Sequence, residues 1–171
     1  MLTIRPEQPT DHSQVFKLVE LAFGQPAEAR LVEALRRSPA FIPELSLVAT
    51  EHERVVGHIL FSRIAVRSGA TVREALALAP MAVLPERQRA GIGSALVRQS
   101  LADARRLGHR VVVVVGHPEY YPRFGFVPGE TFGIRLQFEV SPGAFMVLEL
   151  QPHALAGTRG EVEYPPEFAE L

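Results

Sequence analysis

PERQRAGIGSALV, residues 85–97, is the stretch of this chain that decides its interpretation. Gly91 and Gly93 lie directly ahead of a run with helical spacing of apolar residues that begins at Leu96. A glycine-rich turn that leads into a helix presents backbone N–H groups at the positive end of the helix dipole. Because glycine has no Cβ, phosphate oxygens can approach those amides directly. The stretch therefore predicts a pyrophosphate-binding loop.

Two common nucleotide-binding motifs fit this stretch poorly. The dinucleotide motif G-x-G-x-x-G requires a third glycine where this chain has Leu96, and an acidic residue near Val115 at the end of the next strand. The P-loop of nucleoside triphosphatases requires G-K-[ST], which does not follow the glycines. A helix start that merely needs a tight turn after Pro85 is the simplest alternative. Arg87 and Arg89 favour anion binding, because guanidinium groups pair with phosphates.

The composition is that of an ordinary globular protein. Of the 171 residues, 47% are hydrophobic and 22% are charged, and the formal net charge of -1 argues against a generally basic nucleic-acid-binding surface. The absence of cysteine excludes disulfides and thiolate nucleophiles, and the six histidines lack metal-ligand spacing, so no metal is expected. No apolar run is long enough to cross a membrane and no signal-peptide pattern opens the chain, so a cytoplasmic location is predicted.

The hydrophobic pattern predicts an α/β chain of the α+β type. The five consecutive valines at 111–115 lack alternation, which indicates a strand buried on both faces. An antiparallel meander that precedes a parallel β-α-β crossover gives a central mixed, mostly antiparallel sheet of about seven strands with helices on both faces. One domain over 1–171 is expected, in which 151–171 is a C-terminal extension with few structural signals. Strands are predicted at 2–5, 45–50, 55–66, 72–84 and 111–115, from about Phe126 onward and at 145–150, and helices at 11–23, from Pro26 to about 37, after Gly93 and near 119–124.

Three motifs together resemble one family. QRAGIGSA, residues 88–95, resembles the Q/R-x-x-G-x-G/A signature of the GNAT superfamily of N-acetyltransferases. LALAPMAVLPERQ, residues 76–88, resembles the fourth strand of that family. EYYPRFGF, residues 119–126, resembles its short helix and following strand, with the pattern Y-x-x-x-G-F. Motifs and element order cover residues 2–150, and within the family the chain resembles the broad branch of predicted bacterial acetyltransferases with unassigned acceptors.

The resemblance implies acetyl-CoA as cosubstrate and no metal. In this family the fourth and fifth strands splay apart, and pantetheine lies in the gap like an added strand. Pro80 predicts a bulge at this place, because proline cannot donate a ladder hydrogen bond. The residues expected to bind acetyl-CoA are Met81, Ala82 and Val83 through their backbone, and Gln88, Arg89, Ala90, Gly91, Ile92, Gly93 and Ser94 in the pyrophosphate loop.

Tyr121 matches the tyrosine of the family motif and is expected to act as general acid toward the departing sulfur. A phenol has a pKa near ~10, so it keeps its proton at neutral pH. Pro122 departs from many family members, and ordinary aromatic packing is the alternative for this residue. No general base is named, because ordered water often serves in this superfamily and none of the candidates has a motif behind it. These candidates are Glu28, Glu44, Glu74, Glu119, His58 and His117.

The leading prediction is an N-acetyltransferase in which a primary amine attacks the thioester of acetyl-CoA directly. The alternative is a non-catalytic acyl-CoA-binding sensor or regulatory module, because phosphate binding is not chemistry. A longer acyl chain or a hydroxyl acceptor also stays open. The expected partner is a small-molecule or peptide amine, with neither nucleic acid nor membrane, and a homodimer is left open. The mixed charges of residues 16–37, which would frame the acceptor, select no particular amine.

Overall fold

The strands and helices follow one another along the chain much as the hydrophobic pattern predicts, in a computed structural model that describes residues 1–169 and 171. The helices are α1 (His12–Phe23), α2 (Ala27–Arg36) and α3 (Ile92–Arg106). The strands are β1 (Thr3–Pro6), β2 (Phe41–Glu51), β3 (Arg54–Ser68), β4 (Thr71–Val83), β5 (Val111–Val115), β6 (Val127–Pro128), β7 (Ile134–Arg135), β8 (Phe145–Glu149) and β9 (Gly160–Glu163).

The strands form one mixed sheet in the order β1-β2-β3-β4-β5-β8-β6, to which β9 is joined by pairing with β3 and β7. The β1–β2, β2–β3, β5–β8 and β6–β8 pairs are antiparallel, whereas β4–β5 and β7–β9 are parallel. The β4–β5 ladder pairs Leu76 with Val112 and Ala77 with Val113, and β4 continues beyond these pairs to Val83. The predicted fold class is confirmed, with nine strands in the described part of the chain where about seven were expected.

Two short strands, β7 and β9, were not predicted from the sequence. β7 has 2 residues and β9 has 4, which is too short for a period of two to be visible. They become strands because neighbouring segments supply the hydrogen bonds. β9 pairs Val162 with Val66 of β3, and β7 pairs Ile134 with Gly160 of β9. The C-terminal extension thus contributes a strand to the sheet.

The chain groups into two compact units. Unit 1 comprises Met1–Ser62, Ala79–Asp103 and Pro166–Leu171, and unit 2 comprises Arg63–Leu78 and Ala104–Pro165. Each unit is assembled from separate stretches, because β3, β4 and α3 each begin in one unit and end in the other. A single domain over 1–171 stays a prediction.

In unit 1, helices cover both faces of β3. An ideal Cβ built on Gly57 would lie 2.9 Å from Cγ2 of Ile92 and 3.0 Å from Cδ1 of Leu96, so α3 packs closely on this face. Successive strand residues point to opposite faces, and His58 is buried on the other side, within electrostatic reach of Arg36 in α2. The glycine therefore lets α3 approach the sheet.

Unit 2 has a continuous apolar core. Residues 111–114 are buried as predicted, while Val115, at the C-terminal end of β5, is 40% exposed. Branched aliphatic residues from five strands meet there, as expected for a closely packed interior. The buried cluster consists of Ile64, Val66, Ala75, Ala77, Val111, Val113, Ile134, Val147, Ala154, Leu155 and Val162.

Candidate active site

The end of β4 leads directly into the glycine loop of unit 1. The N–H of Leu84 donates a 3.0 Å hydrogen bond to the carbonyl of Val56 in β3. The side-chain Nε2 of Gln88 donates a 3.2 Å hydrogen bond to the carbonyl of Val83. These two bonds tie the segment between the strand and the loop to the sheet, so the loop begins from a defined position. The side chain of Gln88 thus has a structural partner of its own.

The loop places unpartnered amides beside two residues with left-handed backbone. Arg89 has a φ of 65° and Gly91 a φ of 85°. The N–H of Ala95 donates a 3.0 Å bond to the carbonyl of Gly91 as α3 begins. The amides of Ile92 and Gly93 precede that bond and have no hydrogen-bond partner among the described residues. N–H groups gathered in this way at a helix start form a concave site for an anion.

Arg87 and Arg89 differ in what they can bind. Nε and Nη2 of Arg87 donate to the two carboxylate oxygens of Glu51 at 2.9 and 2.7 Å, a bidentate pair. Arg89 is exposed and makes no ion pair with any residue that the structure describes. In the structure Glu51 holds the Arg87 guanidinium, whereas the Arg89 guanidinium is not held in this way. A phosphate contact stays a prediction for both arginines.

The remaining predicted contacts are distributed along β4 and the start of α3. Ile92 is 2% exposed, and its side chain packs towards Gly57, so its backbone is the part left for a ligand. Pro80 lies inside β4 after a cis peptide bond, and the bulge expected there stays a prediction. Ala82 is buried and Ala90 exposed, while Met81, Val83, Gly93 and Ser94 are half-buried.

Tyr121 opens a short 3-10 helix, Tyr121–Phe124, in unit 2. The residue is 7% exposed, and its ring meets Tyr120 at 5.1 Å and Phe126 at 5.6 Å in edge-to-face geometry. Its hydroxyl makes no hydrogen bond with the described residues. Burial, with a smaller contribution from Tyr120, raises the pKa of Tyr121 to about 12. The phenol therefore carries its proton at neutral pH.

Gly116, which follows β5, gives the Tyr121 ring its space. An ideal Cβ at this position would collide with Cε2 of the ring and lie 3.1 Å from Cδ2. The motifs of the sequence predict no role in the site for Gly116. The available signal was a glycine between a buried strand and the Y-x-x-x-G-F motif, which indicates that another group comes close to the backbone.

None of the candidate bases stands out in the structure. His58 is completely buried, with Nδ1 2.9 Å from the carbonyl of Leu47, and burial lowers its pKa to about 4. Glu28 accepts hydrogen bonds from Gln25. Glu44, Glu74, Glu119 and His117 are exposed. Within the described residues no three His, Asp or Glu side chains are placed to hold a metal ion.

Sequence and fold together define the family. A family model described as acetyltransferase (GNAT) domain matches residues 3–129, and the chain belongs to this family. The predicted family and the predicted class of enzyme, an acyltransferase, are thereby confirmed. No helix in the described part of the chain is long and apolar enough to span a bilayer.

Two curated relatives come from Escherichia coli K12. The uncharacterized N-acetyltransferase YhbS is 34% identical over 168 residues, which cover 98% of either chain. The uncharacterized N-acetyltransferase YjhQ is 40% identical over 119 residues, which cover 70% of this chain and 66% of that one.

Two solved structures are similar over nearly the whole chain. The crystal structure of E. coli YhbS in complex with CoA has a TM-score of 0.90 at 32% identity, and the match covers 98% of this chain and 92% of the YhbS chain. That of a GNAT family acetyltransferase from Brucella melitensis in complex with acetyl-CoA has a TM-score of 0.81 at 34% identity and covers 98% of both chains.

Proposed function

We propose that this protein is an acetyl-CoA-dependent N-acetyltransferase that acts on a primary amine by direct attack. The observation that carries the proposal is the loop of unit 1, where the unpartnered amides of Ile92 and Gly93 follow the left-handed Arg89 and Gly91. This donor set suits a pyrophosphate. Relatives solved with CoA and with acetyl-CoA support the same ligand.

The residues of unit 1 would hold the cosubstrate. Backbone groups of Met81, Ala82 and Val83 would bind the pantetheine amides, and residues 88–94 would bind the pyrophosphate. The exposed guanidinium of Arg89 would pair with a further phosphate. When bound, acetyl-CoA supplies an acetyl group activated as a thioester.

Tyr121 is assigned the role of general acid. Its pKa of about 12 keeps the phenol protonated, and its hydroxyl is not engaged by any described side chain or carbonyl. An uncommitted donor of this kind can give its proton to a departing thiolate. The acid is an aid to a tolerable leaving group, so its expected contribution is moderate.

The first experiment tests cosubstrate binding by calorimetry with CoA and acetyl-CoA. Gly91→Val places a β-branched residue at a φ of 85°, which that side chain resists, and it should weaken both ligands by about tenfold or more. Gly24→Val is the matched control, since Gly24 has a φ of 71° at the end of α1 and an equally open Cβ position. Wild-type affinity in Gly91→Val would contradict the phosphate loop.

The second experiment separates the enzyme from a binding module. Release of free thiol from acetyl-CoA is measured against amines, amino acids, polyamines, aminoglycosides and peptide N-termini. The enzyme is expected to release thiol with at least one class. A non-catalytic acyl-CoA sensor is the second candidate, because no general base emerges from the described residues. Tight CoA binding without thiol release for any acceptor would favour the sensor.

A further inference from the structure

Unit 2 contains a cleft of about 420 Å³ whose lining carries two arginines and, among its described residues, no acidic side chain. Arg135 of β7 and Arg159, just before β9, supply the positive charge. The hydroxyls of Ser68 and Thr131 add polar groups to the same lining. An apolar wall completes it, formed by Phe132 and Leu155.

The β7–β9 pairing brings the segments that carry the two arginines to one cleft. In the parallel β7–β9 ladder, Arg135 pairs with Glu161 and Ile134 pairs with Gly160. Side chains alternate along a strand, so Arg135 and its partner Glu161 lie on the face opposite the buried Val162. Arg159 precedes β9 and lines the same cleft as Arg135, so the two guanidinium groups can reach one ligand.

The two guanidinium groups are only weakly engaged. Nε of Arg135 lies 3.6 Å from Glu161, and the two side chains are 67% and 38% exposed, so this pair contributes little. Glu161 has a second donor, because Gln137 gives it a 2.9 Å hydrogen bond. Arg159 makes no ion pair or hydrogen bond with the described residues. By contrast Arg67, at the end of β3, is held by Glu163 at 2.8 Å.

The backbone that carries Arg159 is held in place. Gly160 has a φ of 120° and lies so close to β3 that an added Cβ would collide with the carbonyl oxygen of Arg67. The N–H of Gly160 donates a 2.9 Å bond to the carbonyl of Gly133. A fixed backbone lowers the entropic cost of ordering the site when a ligand binds. The unpaired Arg159 is thus presented on a defined support.

We propose that this cleft binds the phosphate group of a small phosphate monoester. Arg159 is its principal ligand, Arg135 is the second, and the hydroxyls of Ser68 and Thr131 are further donors. A guanidinium offers a fork of donors that matches two phosphate oxygens. The volume lies within the range of small-molecule sites and leaves room for an organic body against Phe132. The site shares no residue with the acetyl-CoA site and does not depend on it.

The test uses phenyl phosphate, titrated into 15N-labelled full-length protein with saturating CoA and again without it. Shifts are expected at the amides of Gly133 and Gly160 and at Nε of Arg159. Arg159→Gln should weaken binding by about tenfold or more, as for loss of a charge-assisted hydrogen bond. Arg159→Lys should retain part of the affinity because it keeps the charge and loses the fork. Arg110→Gln, an exposed arginine of the same unit, should have no effect.

Several outcomes would overturn the proposal. Equal affinity of wild type and Arg159→Gln would show that Arg159 is not the principal ligand. Chemical shifts confined to residues 89–93 would place phenyl phosphate in the glycine loop instead. Benzoate that binds as tightly as phenyl phosphate contradicts the choice of phosphate. Inorganic phosphate that binds as tightly as phenyl phosphate would show that the organic group of the monoester contributes nothing to binding. The titration without CoA decides the matter even if the proposed cosubstrate does not bind.

Discussion

At the residue scale, the environment of Tyr121 holds its phenol in the protonated form that a general acid needs before it donates, although the raised pKa does not make it a stronger acid. Its ring is enclosed by Tyr120, Phe124 and Phe126, and Gly116 leaves it room. Burial raises the pKa of Tyr121 to about 12, which secures the proton, while the hydroxyl has no described partner. The same contacts that hold the ring therefore favour the protonated form.

Tyr121→Phe removes the hydroxyl and keeps the ring packing. We expect kcat to fall roughly 10- to 100-fold, at the low end of general acid catalysis because a thiolate leaves tolerably well unaided. KM for acetyl-CoA should not change, because the proton is given only as the sulfur departs. The measurement is steady-state thiol release with an acceptor from the amine screen. Tyr120→Phe is the control and should be milder; a wild-type rate in Tyr121→Phe would remove the acid assignment.

The buried polar cluster around His58 predicts a pH dependence of stability. Burial lowers the pKa of His58 from 6.5 to about 4, with Glu7, Arg36 and His12 as the charged neighbours. The unfolded chain then binds more protons than the folded one between these values, so stability is full above about pH 6.5 and lost as the pH falls toward about 4. At about 1.4 kcal/mol per pH unit, the whole interval is worth roughly 3 kcal/mol.

Urea unfolding at about pH 7 and about pH 5 measures this dependence. His58→Gln cannot titrate and should flatten the slope, whereas His117→Gln, at an exposed position, should keep it. Although burial opposes it, hydrogen bonds from Arg36 and Ser46 lower the pKa of Glu7, so that carboxylate adds its own loss only below about pH 4.5. An unchanged slope in His58→Gln would show that other groups carry the effect.

At the element scale, the position of α3 against β3 depends on Gly57. Gly57→Val should destabilise the fold by about 1–3 kcal/mol, because the new methyl groups overlap Ile92 and Leu96. Since Ile92 begins α3, the displacement should also weaken CoA binding at the adjoining loop. Urea unfolding and calorimetry provide the two readouts. Gly157→Val is the control, with no atom within 4 Å of its Cβ, and should stay within about 0.5 kcal/mol. Equal stability of the two variants would exclude this role for Gly57.

At the scale of the whole molecule, binding of CoA should raise the melting temperature. A ligand present at about 100 times its Kd stabilises the native state by about 2.7 kcal/mol, which for a chain of this length corresponds to roughly 5–10 °C. Gly91→Val should lose this shift in melting temperature, and Tyr121→Phe should keep it.

Because β3, β4 and α3 each run through both compact units, we also expect one cooperative transition in scanning calorimetry. Two separate transitions would contradict a single domain.

The sequence by itself determined the features that depend on neighbours along the chain. Helical periodicity and the glycines predicted α1 with its stop at Gly24 and the start of α3 after the loop. The run of valines predicted β5 as a buried strand. The loop motif identified the family because its glycines and the following helix are contiguous in sequence. Local backbone preference and side-chain periodicity are sufficient physical causes for each of these elements.

Only the tertiary structure decided the features whose partners are distant in sequence. Glu51 pairs with Arg87, Gly116 makes room for Tyr121, and β9 becomes a strand by pairing with β3. The cleft lined by Arg135 and Arg159 likewise exists only because β7 pairs with β9 and brings their segments together. Such contacts leave no period or motif in the sequence, because strand pairing and packing form them between residues that are far apart along the chain.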